Sequence, residues 1–218
     1  MDFVERLRAQ FEDGVEPRRL IDEYFDASGA GFTGSQFELI VDRTRPNEFT
    51  ADDFAAVSTL SVTVPARATI YLLSEEGVER TSELLSDVPT DIDIWHDDAA
   101  ELVARGGPAW QLWNLVRTAS WPAPVGEVGH NDVGPTIASK LLAAKRPRLV
   151  PIVDSVVREA LGPDVSQWSS WREALLDQPL RDLIVDRTSS APEGISLLRR
   201  IDVVVWMRNR PRRKSNDA

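Results

Sequence analysis

Apolar residues recur along most of this chain at three- and four-residue intervals, the spacing that gathers them on one side of a helix. Residues 2–12 place Phe3, Leu7 and Phe11 on one stripe, and Pro17 opens a second helix carrying Leu20, Ile21, Tyr24 and Phe25. Gly29, Gly31 and Gly34 interrupt the pattern, and Phe37 to Val41 fits either a short strand or an irregular buried segment. Thr50 with Asp52 and Asp53 reads as an N-cap followed by acids in the first turn, starting a helix to Leu60 with Phe54, Val57 and Leu60 inward. Pro65 opens a further helix, Gly77 is expected to separate it from one around Thr81 to Leu85, and Pro89 ends that.

In the second half, Asp97 and Asp98 begin a helix to Arg105, and Gly106-Gly107-Pro108 resets the chain for a tryptophan-rich helix from Ala109 to Ala119. A loop from Trp121 to Asp132 is long enough to invite a binding role. Helices are then predicted from Pro135, over Ser155 to Leu161, over Gln167 to Leu176 and over Glu193 to Met207, with Pro179 and Pro192 between them. The last is apolar on most sides, which places it centrally. The pattern predicts an all-α, predominantly helical protein without internal repeats: residues 1–207 form one helical domain or two helical lobes around a cleft, and residues 208–218 a fraying basic tail.

Composition narrows the chemistry. With 218 residues and 42% hydrophobic content the chain can bury a sizeable core. Cysteine is absent, which excludes disulfides, thiolate zinc sites, cysteine catalysis and a cysteine-held iron-sulfur cluster. His96-Asp97-Asp98 is a partial metal set, but consecutive residues at a helix start do not converge on one ion, so neither metal nor cofactor is expected. Phosphate-loop, dinucleotide and nucleophile-elbow motifs are missing. No apolar run has signal-peptide or membrane-spanning character, so the expected location is cytoplasmic, with no membrane partner.

The net charge of −10 opposes non-specific attraction to a polyanion, but the cations are unevenly placed. Lys140, Lys145, Arg146, Arg148 and Arg158 gather around Asp154, within a segment from Val133 to Arg158 that combines a helix-opening Gly134-Pro135, a proline-punctuated loop and a single acid among apolar residues. Asp154 is well suited to cap the following helix. His130, Asn131 and Trp121 lie on the loop that precedes this segment, where the first two fit either a polar turn or a substrate contact and Trp121 offers a stacking face. The pairs Trp110/Trp113 and Trp168/Trp171 have helical spacing and read as core.

This segment resembles the hairpin-and-acid signature of the helix-hairpin-helix DNA glycosylase superfamily. Val133-Gly134-Pro135 matches the hairpin turn, Ala138 the alanine of the helix after it, Pro147 and Pro151 the loop, and Asp154 the essential acid. The run from Leu198 to Met207 is similar to the superfamily's last helix, and the chain as a whole resembles a group of actinobacterial proteins that supplies no activity. The resemblance implies DNA as partner, phosphate contacts from Val133, Gly134, Thr136 and the surrounding cations, and hydrolysis of an N-glycosidic bond with Asp154 as the catalytic acid. Two positions depart from the pattern. Asp132 stands where the hairpin's first glycine belongs, and Thr136 where strand-cutting members carry a nucleophilic lysine, so a monofunctional enzyme is implied. The alternative is a helical scaffold or interaction module that has lost this chemistry and binds DNA or a protein partner.

Overall fold

A computed structural model describes residues 1–26, 31–120 and 131–211, and every regular element among them is helical. The first, α1 (Phe3–Ala9), starts on a reciprocal capping box between Asp2 and Glu5. It is followed by α2 (Glu16–Tyr24), with Pro17 in its first turn. The ambiguous segment after it is a 3₁₀ turn (Thr33–Gln36) running into α3 (Phe37–Ile40). A strand is ruled out there because Phe37 is buried while Leu39 and Ile40 both face outward, which alternation does not allow. Thr50 and Asp53 form the predicted cap of α4 (Ala51–Thr59).

Two glycine and proline assignments are corrected by packing. Gly77 does not separate helices; it lies inside α6 (Glu75–Ser86), which follows α5 (Ala66–Leu72) after a short turn capped by Ser74. A Cβ at Gly77 would sit 1.9 Å from the Tyr71 carbonyl oxygen, so glycine is needed for close approach of the two helices. Downstream come α7 (Ala99–Val103), α8 (Pro108–Thr118), α9 (Pro135–Lys145), α10 (Ser155–Leu161) and α11 (Trp168–Leu176). Pro179 then opens α12 (Gln178–Arg187), a helix that the sequence pattern missed because the proline reads equally as a breaker. Finally, α13 (Leu197–Asn209) runs past the expected end at Met207. Arg208 is held there by the Glu16 carboxylate and by the carbonyls of Ala9 and Gln10, so the chain does not fray at that point. Arg212 to Ala218 lie outside the described residues.

Two helices are buried nearly all round. α9 is covered from Ala138 through Lys145 and packs against α4 and α8, while α13 packs against α2, α10 and α12. The buried run of α9 ends in two cations. Lys145 pairs with Asp53 at 2.6 Å and donates to the Asp42 and Arg45 carbonyls. Arg146 is 2% exposed and donates to the carbonyls of Val88, Pro46, Lys145 and Leu85 and to the Asn47 side chain. These acceptors include the Leu85 carbonyl in the last turn of α6 and the Lys145 carbonyl at the end of α9, so one guanidinium ties the two helix ends together. Burial lowers Arg146 to about 10, which still leaves it charged at neutral pH. The expectation that Lys145 and Arg146 face phosphate is therefore corrected: both are internal struts, fully engaged by protein oxygens.

Arg146→Ala should lower the urea midpoint by an amount equivalent to about 3–5 kcal/mol, because several buried acceptors lose their donor at once. A midpoint within error of wild type would show that the strut is dispensable.

Candidate functional site

Asp154 sits where α9 hands the chain to α10. Its backbone is extended and its Oδ1 accepts the Val157 amide at 2.9 Å, so it is the N-cap of α10. The loop that delivers it is pinned at several points. Arg146 O accepts from the Leu149 and Val150 amides, Arg148 O accepts from the Ile94 amide, and the Ser139 hydroxyl accepts from the Val153 amide at 3.2 Å. A carboxylate at the end of such a loop has little freedom to move. It is also part-exposed, because a cavity of about 310 Å³ opens beside it.

One wall of this cavity comes from the first third of the chain: Tyr24, Phe32, Gly34 and the Leu60–Val62 turn. The rest of the lining comes from Thr136 and Lys140 on α9, from Ile152 to Val156, and from Arg199, Asp202 and Trp206 on α13. The aromatics form a connected group, with Tyr24 and Phe32 stacked at 5.5 Å and Phe32 edge-on to Trp206 at 5.6 Å. At the turn, Ser61 adopts φ +63°, a left-handed conformation that costs a non-glycine residue energy. Beside it, the Leu60 carbonyl oxygen accepts from Lys140 Nζ at 2.8 Å.

The electrostatics centre on Arg199, which is 5% exposed. It pairs with Glu38 at 2.8 Å and with Asp202, and donates to the Tyr24 hydroxyl and the Gly34 carbonyl, each at 2.8 Å. Two carboxylates share this one guanidinium. Burial pushes Asp202 up to about 6; Arg199 opposes that shift and the Asp154 charge adds to it. Lys140 is lowered, chiefly by burial, while Asp202 and Asp154 act the other way. Tyr24 is raised, again chiefly by burial.

The predicted site residues thus separate into three groups. Asp154, Thr136 and Lys140 meet at the cavity. Lys140 is only 4% exposed and engaged by a carbonyl, so it faces the cavity, not an outer phosphate surface. The second group is structural: besides Lys145 and Arg146, Val133 is buried, and Asn131 donates to the Val116 and Ala119 carbonyls while accepting the Val133 amide. Asn131 thereby closes the end of α8 and is unavailable as a substrate contact. Arg148 is held by Asp93 through two bonds, which offsets its charge. The third group remains open to solvent: Arg158 is exposed, and a Cβ on Gly134 would meet nothing within 4 Å. Asp132 has φ +60°, the conformation that a glycine adopts readily and an aspartate tolerates. Trp121 and His130 lie outside the described residues.

Sequence reasoning missed Phe32, Arg199 and Asp202 as site residues. A signal for the last two was present, since Arg199 and Asp202 are charged residues three apart on a helix that is otherwise apolar on nearly every side. Trp110 and Trp113 pack edge-on against Trp168, and Trp171 is buried, so these four tryptophans belong to the packing. Among the described residues no cluster of three or more histidine, aspartate or glutamate side chains can hold a metal ion, and no helix is long and apolar enough to cross a membrane.

Over residues 17–209 the chain matches a family of unknown function, DUF6308, and it belongs to that family. No curated protein and no solved structure matches it.

The raised Asp202 acid makes a pH prediction. Its folded-state value of about 6 lies above the ordinary aspartate value of 3.8, so the native state binds the extra proton and stability is lost as pH rises through about 4 to 6. The difference in unfolding free energy between wild type and Asp202→Asn should fall across that window. A difference that is flat with pH would place the carboxylate in a more polar setting.

Proposed function

We propose that this protein is an N-glycosidic-bond hydrolase of the DNA glycosylase type, which receives a single base in the cavity and uses Asp154 to stabilise the cationic sugar as the base departs. The observation that carries the reading is the double placement of Asp154, rigidly held as a helix cap and yet lining a cavity walled by aromatic side chains. A volume of about 310 Å³ lies at the small end of ligand sites and suits one heteroaromatic ring system with part of its sugar. A carboxylate in that position counters positive charge developing on the sugar ring, and the same group can orient a water. The two-lobed arrangement of the superfamily belongs to this proposal. Its support is the origin of the cavity walls, one from residues 24–62 and the other from residues 136–206. Gly134 and Arg158 are the remaining surface groups for a phosphate.

A second reading, a helical module without catalysis, is favoured by one observation. Lys145 and Arg146 are internal and Arg148 is paired with Asp93, which removes most of the cationic collar expected around Asp154.

Base release from a panel of modified duplexes, followed by chromatography, separates the two. Asp154→Asn should reduce release by about 10²–10³-fold, the effect of losing one preorganised electrostatic group. Asparagine caps a helix about as well as aspartate, so the variant should keep the wild-type melting temperature and the loss would be chemical. Release that is unchanged in Asp154→Asn, or absent from wild type on every duplex, contradicts the hydrolytic reading.

A further inference from the structure

Two guanidiniums touch the aromatic side chains of the cavity, and they differ in what else they meet. Arg199 lies 5.2 Å from the Tyr24 ring centroid and is consumed by protein acceptors: Glu38, Asp202, the Tyr24 hydroxyl and the Gly34 carbonyl. Arg210, the C-cap residue of α13, lies 4.5 Å from the Phe32 centroid and 5.4 Å from that of Trp206, and both of these side chains line the cavity. Among the described residues its guanidinium makes no hydrogen bond. Its carboxylate neighbour, Glu23, stands at 3.6 Å, beyond hydrogen-bond distance, and already accepts from Arg19 at 3.2 Å. An exposed pair of that length contributes little.

Stacking decides which donors are left over. A guanidinium is planar and carries its N–H groups in its own plane, so a ring against its face leaves the edge free for acceptors. Arg210 Nε is covered and without a partner, while the side chain as a whole is 28% exposed, so the Nη groups are the donors on offer. Two Nη groups side by side match two oxygens of one phosphate. Beyond Arg210 the sequence continues with Arg212, Arg213 and Lys214, so this stretch is strongly positive although the chain totals −10.

We infer that Arg210 is a phosphate-binding residue, and that the cavity takes a nucleotide, with the base inside and a phosphate against the guanidinium that stacks on Phe32 and Trp206. A phosphate is joined to its base through one sugar, and Arg210 is in direct contact with two side chains of the lining. Glu23 keeps its bond to Arg19 when the phosphate takes Arg210. The assignment rests on the cavity being the base site proposed above, but not on cleavage of the bond to the sugar.

Deoxyadenosine and deoxyadenosine monophosphate test it, because they differ only in the phosphate. Calorimetric titration of the full chain at neutral pH and low ionic strength should give at least about tenfold tighter binding of the monophosphate, the effect of hydrogen bonds to a charged group. Arg210→Gln should bring the two affinities together. The ratio is the readout, because loss of support for Phe32 alone would weaken both ligands alike. Arg210→Lys keeps the charge without the fork, should retain part of the preference, and serves if the glutamine variant fails to fold. Equal affinities in wild type, no binding of either ligand, or a preference that survives Arg210→Gln would each overturn the inference. A short single strand of deoxyadenosines distinguishes the source of the phosphate: binding tighter than that of the monophosphate assigns it to a strand, weaker binding to a free nucleotide, and either upholds the role of Arg210 if lost in Arg210→Gln. Phosphate-dependent binding by a protein that releases no base from any duplex would uphold the inference while removing the hydrolytic reading. Base release without the phosphate preference would do the reverse.

Discussion

Arg199 is the interaction on which the site depends. Its guanidinium ties α13 to Glu38 on α3, to the Tyr24 hydroxyl at the end of α2 and to the Gly34 carbonyl in the 3₁₀ turn, and it also grips Asp202 one turn along its own helix. Aromatic faces add contact, since the guanidinium carbon lies 5.2 Å from the Tyr24 centroid and 5.6 Å from that of Phe37. Taking so many charges out of water is costly, and an apolar repacking of equal volume would often be as stable. What the network provides is position: it holds aromatic side chains and a carboxylate at the edge of an open space that an apolar core would fill.

The α9 part of the lining is fixed by different means. α9 is anchored at its far end by Lys145 and Arg146, whose bonds reach the segments from Asp42 to Asn47 and from Leu85 to Val88. With that helix fixed and the loop after it pinned by Ser139 and Arg148, Asp154 has a defined place. The cap and the candidate acid are therefore one feature. The amide of Val157 that stabilises α10 is also what orients the carboxylate at the cavity.

The helical class was legible from spacing alone, and the starts at Thr50, Pro108, Pro135 and Asp154 were legible from their capping chemistry. Local rules failed where a tertiary partner decides the outcome. Gly77 serves a close helix contact, and Pro179 starts a helix because α11 and α13 supply it with partners. At the site, the sequence located Asp154 and Lys140 but misread the role of the cations around them. Lys145, Arg146 and Arg148 look like a phosphate-binding cluster in one dimension, and in three they are consumed by Asp53, by helix-end carbonyls and by Asp93. Nothing in local spacing announces that Phe32 and Tyr24 would reach Trp206 across more than 170 residues.

On the proposed reading, the ligand resides in the space between Asp154 and the Arg199 network. The decisive measurement is of amide resonance shifts while a free purine base is added. Changes concentrated at Thr136, Lys140, Asp154 to Val156 and Asp202 are the predicted result. Changes centred on the Trp110–Trp168 face, or none at saturating base, would contradict it.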